Sequence, residues 1–111
     1  MGAVKQAELT PQVIAEGRTR YLAHTDNLMM AVIDFNDGPT SQPDPPHSHP
    51  HEQVSYVASG EINFFLDNDP VRLGPGDMFT VPPNVPHAVQ LLSDDVRLID
   101  AFTPIREEFL K

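Results

Sequence analysis

Three of the five histidines in this chain, His47, His49 and His51, fall within five residues, directly after Pro45-Pro46. In extended chain, residues i and i+2 point to one face. His47 and His49 can therefore aim two imidazoles at one point, the geometry that metal coordination needs from a strand. Strict alternation would put His51 on that face too. Pro50 lacks an N–H and interrupts the pattern, which leaves His51 at the rim. Taken alone, the cluster reads equally well as a histidine-rich exposed loop.

A second group of chemical interest lies near the C-terminus. Leu98, Asp100 and Phe102 share one face of an expected strand. An acid in the middle of an apolar strand is costly unless it is paired or faces a wet cavity. Asp100 is then either half of a structural ion pair with Arg106 or an acid/base group aimed into a pocket. In the second case Arg106 becomes an anion clamp, because its fork matches a carboxylate with two parallel hydrogen bonds. Phe102 reads as core on its own.

The elements that must position these residues are short. Twelve prolines and six glycines cut the 111 residues into pieces that read as all-β. Strands are expected over residues 19–23, 28–35, 53–58, 61–66, 71–73, 78–81, 87–92 and 96–102. Turns are expected at 24–27, 36–39, 59–60, 67–70 and 74–77, and a loop at 82–86. Residues 11–14 read as a turn packed on the sheet. Helical spacing occurs at 105–110, with Pro104 as starter. About eight short strands fit a sandwich or a closed barrel of one domain, residues 1–111. Residues 28–33 are consecutively apolar, which implies burial on both faces, either inside the barrel or at a homodimer interface.

Composition narrows the partners. Seven Lys+Arg against sixteen Asp+Glu give a net charge of −9, with no basic run. That argues against nucleic acid and anionic membranes as partners. An anionic ligand would need positive potential from a metal or a few placed arginines. The absence of cysteine removes disulfides and thiolate sites and leaves histidine and oxygen ligands. No apolar leader or membrane-length stretch is present in these residues, so a cytoplasmic location is expected.

Two motifs make the pattern specific. The chain reads His47-Ser48-His49-Pro50-His51-Glu52-Gln53, then Gly60, and later Gly76-Asp77-Met78-Phe79-Thr80-Val81-Pro82-Pro83-Asn84-Val85-Pro86-His87. This resembles the cupins, whose first motif carries two histidines around one residue, a carboxylate and a glycine, and whose second carries Gly, Pro and His. The resemblance spans residues 47–91, with the motifs around 47–60 and 76–91, and it implies a small jelly-roll β-barrel. There are three departures. Gln53 stands where cupins usually have Glu, Asn84 replaces a glycine, and Leu91 replaces a closing Asn. Asn tolerates positive φ. The adjacent Glu52 is an alternative fourth ligand, but alternation turns it away from the face of Gln53. The implied set is His47, His49, Gln53 and His87 around one divalent metal: Ni, Mn, Fe, Co or Zn. Four neutral donors would leave the metal its full charge and, if octahedral, two open positions.

The C-terminal run Asp100-Ala101-Phe102-Thr103-Pro104-Ile105-Arg106-Glu107-Glu108-Phe109-Leu110, with His47-Ser48-His49-Pro50-His51-Glu52-Gln53 and Asp26-Asn27-Leu28-Met29, resembles the KdgF-type cupins of pectin and alginate breakdown. That resemblance covers most of residues 17–111. It implies metal-dependent conversion of 4,5-unsaturated monouronates, small anionic sugar acids, into linear 4-deoxy-5-keto uronate. Asp100 and Arg106 become the catalytic candidates and Phe102 a pocket wall. Two rival functions remain at this stage: a metal-containing cupin that binds sugar acids without turnover, and a metal-dependent dioxygenase. Many cupin dioxygenases use a Glu ligand that doubles as base, so Gln53 weighs against the second.

Overall fold

The computed structural model describes residues 2–111. Among these residues, nine strands form two antiparallel sheets. The strands are β1 (Gln12–Ala15), β2 (Arg18–His24), β3 (Met29–Phe35), β4 (Glu52–Ser59), β5 (Ile62–Leu66), β6 (Asp69–Leu73), β7 (Met78–Val81), β8 (His87–Leu91) and β9 (Val96–Thr103). The larger sheet runs β1-β2-β3-β9-β4-β7 and the smaller β6-β5-β8. A strap over residues 40–47 lies along β8, with Thr40, Asp44 and His47 donating backbone hydrogen bonds to Leu91, Val89 and His87. Its prolines suit this edge position, where one side of the backbone needs no partner.

The two sheets close on an apolar cluster of Phe35, Val57, Ile62, Phe64, Phe79 and Leu91, among others, with the rings of Phe64 and Phe79 stacked at 4.1 Å. A smaller cluster of Met29, Ala31 and Phe102 lies toward the other end of the barrel. Five buried polar residues, His49, Gln53, Ser55, His87 and Asp100, accompany the smaller cluster: register sets Gln53 in the row of Met29 and Phe102, and Ser55 and Asp100 in the row of Ala31.

Special backbone geometry falls at the joints. Gly60 has φ +80°, and a Cβ there would collide with the Asp95 carbonyl oxygen, so conformation and space both demand glycine. Asn84 takes φ 65° where the motif usually has glycine.

Four expectations change. Residues 11–14 do not form a turn: Gln12–Ala15 is an edge strand that pairs with β2 through a bulge. The turn expected at 67–70 shortens to Asp67-Asn68, both at positive φ as a type I′ hairpin requires, and Pro70 sits in the edge strand β6. The helix expected over 105–110 is a single 3-10 turn at Glu107–Leu110. Residues 28–33 are not buried on both faces within one chain. Met29 and Ala31 point inward, whereas Leu28 and Met30 are exposed. No helix of the described residues is long and apolar enough to cross a membrane.

Candidate metal centre

Local chain geometry brings the histidines together. The strap delivers His47 to the start of β8, where His47 and His87 exchange both backbone hydrogen bonds, at 3.0 and 2.9 Å. His49 follows two residues later, and the Asn84 N–H donates to its carbonyl at 2.7 Å. The ring centroids of His47 and His49 lie 4.3 and 4.8 Å from that of His87. One ligand atom from each of the three histidines lies within 4.8 Å of the others, so the cluster can hold a metal ion. His51 stays outside this group and packs against His49 at 5.5 Å.

The hydrogen bonds set the tautomers. His87 Nδ1–H donates to Val85 O at 2.9 Å, and His49 Nδ1–H donates to His51 O at 3.0 Å. Each neutral ring then directs the Nε2 lone pair inward, the usual arrangement for a metal-ligating imidazole. Burial keeps the rings neutral. It lowers the His87 imidazole from 6.5 to about 4, despite the opposing hydrogen bond to Val85. Desolvation is also the main cause that lowers His49 and His47; the neighbouring His49 adds to it at His47, and Arg106 at His49.

Gln53 is buried on β4 and Glu52 is exposed, as strand alternation requires. Gln53 Nε2 donates to Ser55 Oγ at 2.9 Å, which leaves Oε1 facing His49 Nε2 at 3.0 Å. Both facing atoms are acceptors, because the one ring proton of His49 is committed to His51. Two lone pairs at that distance repel unless a cation lies between them. His87 Nε2 is buried and has no hydrogen-bond partner among the described residues. These two observations fit a divalent cation bound by histidine nitrogens and an amide oxygen.

Asp100 sits on β9 directly across from Ser55 of β4 and is only 6 % exposed. Ser55 Oγ–H donates to Asp100 Oδ1 at 2.6 Å. Burial raises the Asp100 carboxyl from 3.8 to about 6, with the Ser55 hydrogen bond and the Arg106 charge pulling the other way. The ion pair between Asp100 and Arg106 does not form. Arg106 reaches Glu108 instead, with Nε and Nη2 at 3.1 and 3.0 Å. Its guanidinium stacks over Phe102 and Phe109, at 5.1 and 4.2 Å from the ring centroids. Phe102 is both core and wall: it is 2 % exposed, lies 5.9 Å from His49, and lines the cavity. One cavity of about 260 Å³ is bordered by His47, His87, Gln53, Asp100, Phe102 and Arg106.

Ser55 joins the ligand face to the acid, yet the sequence reading passes over it. In Gln53-Val54-Ser55-Tyr56, alternation alone would bury Val54 and Tyr56 and expose the polar pair. The usable signal is positional: once the motif turns Gln53 inward, the period of two turns Ser55 inward with it.

The fold and site define the chain as a cupin: residues 34–102 match the Cupin domain family, and the chain belongs to it. Within that family it is KdgF-like. It is 32% identical over 94 residues to the pectin degradation protein KdgF of Dickeya dadantii (strain 3937), covering 84% of this chain and 83% of that protein. The structure of KdgF from Halomonas sp. superposes with a TM-score of 0.87 at 32% identity, covering 98% of this chain and 99% of that one. An RmlC-like cupin from Shewanella frigidimarina NCIMB 400 superposes equally well, with a TM-score of 0.87 at 33% identity, covering 98% and 96% of the two chains.

Proposed function

We propose that this cupin catalyses the metal-dependent opening and ketonisation of 4,5-unsaturated monouronates, released from pectin or alginate, to linear 4-deoxy-5-keto uronate. The observation that carries this reading is Asp100, a buried carboxyl poised near neutrality beside the same cavity as the neutral donor set and Arg106. His47, His49, Gln53 and His87 would hold the ion. When bound, it supplies a Lewis acid that stabilises negative charge developing on the departing ring oxygen.

The chain's own residues account for the rest. The substrate ring is a cyclic hemiacetal whose ring oxygen is also an enol ether oxygen. Opening requires the C1 hydroxyl to lose its proton, the bond from C1 to the ring oxygen to break, and C4 to gain a proton. The reaction is an isomerisation, and no oxidant or water is consumed. Asp100 takes the hydroxyl proton as general base and returns a proton to C4 as general acid. A carboxyl titrating near the working pH suits both duties. Arg106, fixed by two aromatic rings and Glu108, offers its remaining N–H groups to the substrate carboxylate. Phe102 walls the sugar against the donor set.

The test is to supply an unsaturated monouronate and follow loss of its conjugated ultraviolet absorbance, with and without chelator. Chelator-sensitive acceleration over the spontaneous rate is the expected result. Uronate binding without acceleration would make the protein a binding cupin, and oxygen uptake would make it an oxygenase.

A further inference from the structure

Three buried side chains form a chain of hydrogen bonds with a fixed direction. Gln53 donates to Ser55 at 2.9 Å and Ser55 donates to Asp100 at 2.6 Å. Ser55 is 1% exposed, so water cannot substitute for either contact. A serine hydroxyl has one proton to give. Asp100, when ionised, only accepts and therefore takes that proton. Ser55 Oγ is then left as an acceptor, and the only donor Gln53 has for it is the amide NH₂. The amide oxygen must point the opposite way, toward His49 Nε2 at 3.0 Å.

We propose that Ser55 is a positioning residue: its hydroxyl, polarised by Asp100, locks the carbonyl oxygen of Gln53 toward the metal centre. This rests on the reading that the three histidines and Gln53 hold a metal. It also accounts for an amide at position 53. A carboxylate there would have nothing to donate to Ser55, and two carboxylates would compete for one hydroxyl proton. Without the hydroxyl, the amide is free to turn its NH₂ group, which cannot ligate, toward the ion.

The test uses Co²⁺ alone, bound to the metal-free full chain, with affinity read by calorimetry and geometry by the visible absorption of the bound ion. Ser55→Ala should weaken Co²⁺ binding about tenfold, within the range for residues that orient metal ligands, and alter the spectrum. Ser55→Thr keeps the hydroxyl and should restore both. The proposal is overturned if Ser55→Ala matches the wild type in affinity and spectrum. It is equally overturned if Ser55→Thr, with an unchanged circular dichroism spectrum, behaves like Ser55→Ala. If the wild type itself binds no Co²⁺, the metal reading falls and takes the proposal with it, which is distinguishable from either outcome above.

Discussion

Two neighbouring rows of the large sheet differ by one step along the same strands and behave oppositely. Ile33, Leu98 and Val57 lie side by side on β3, β9 and β4 and pack in the apolar cluster, with Ile33 and Leu98 also reaching the cavity. One row further, the same three strands present Ala31, Asp100 and Ser55. Backbone and pairing are continuous across the step, so the side chains alone decide the outcome. The aliphatic row packs into the apolar cluster and gives the cavity part of its apolar wall, whereas the next row sets a buried carboxyl, bonded to a buried hydroxyl, beside it. The barrel thus joins an apolar cluster to a cavity that the same strands furnish with polar groups.

The largest expected effect breaks the polar row. Asp100→Asn keeps the size and still accepts a hydrogen bond from Ser55, but it cannot shuttle protons. Turnover of unsaturated monouronate should fall by about 10²–10⁴-fold, with metal content by elemental analysis unchanged. Full activity would remove Asp100 as the acid/base.

Breaking the apolar cluster that the first row packs into should act on stability instead. Ile62→Ala, at a fully buried position, should cost about 2–5 kcal/mol in urea unfolding. Metal affinity of the folded fraction should remain unchanged. A matching loss of affinity would mean that cluster and metal site are not separable.

A smaller effect is expected at the cavity mouth. Arg106→Lys retains charge but loses the planar fork and its stacking on Phe102 and Phe109. KM for the uronate should rise about tenfold, with kcat reduced less. An unchanged KM would place the carboxylate elsewhere.

The mildest probe is the pH dependence of stability in chelator-treated protein. Asp100 has a folded pKa raised from 3.8 to about 6, so the folded state holds the extra proton and stability falls as pH rises through that window. His87 is depressed from 6.5 to about 4, so its contribution rises over nearly the same window. The two trends oppose each other in the wild type. Asp100→Asn removes the falling one, and its stability should climb more steeply between pH 4 and 6.5. Equal slopes in thermal melts would show that Asp100 does not carry the shift.

The sequence carried the barrel and the ligand face because the relevant signals are local. Turn residues mark the strand ends, and His47, His49 and His87 sit in motifs whose spacing encodes their direction. β1 was illegible because it is a four-residue edge strand whose side chains are mostly exposed, so it shows no periodic burial. Pro70 read as a turn because edge pairing, which tolerates proline, is a property of the assembled sheet. The relation of Asp100 to Ser55 was hidden for the same reason. They are forty-five residues apart and meet only through the register of β4 with β9. Arg106 chose Glu108, two residues away, over the acid that alternation brought to mind.

The exchange of backbone hydrogen bonds between His47 and His87 has a consequence in polymer terms. The two residues stand forty positions apart (87 − 47), and β4 to β7 lie between them. Bringing the ends of such a segment together costs a free chain about 3 kcal/mol of loop entropy. Here main-chain pairing itself closes the loop. An ion bound at these donors would therefore not bear the cost of closing it. Its grip would depend on how firmly the strap is held to β8, so variants that loosen residues 40–47 should weaken ion binding by displacing His47 while leaving His49, Gln53 and His87 in place.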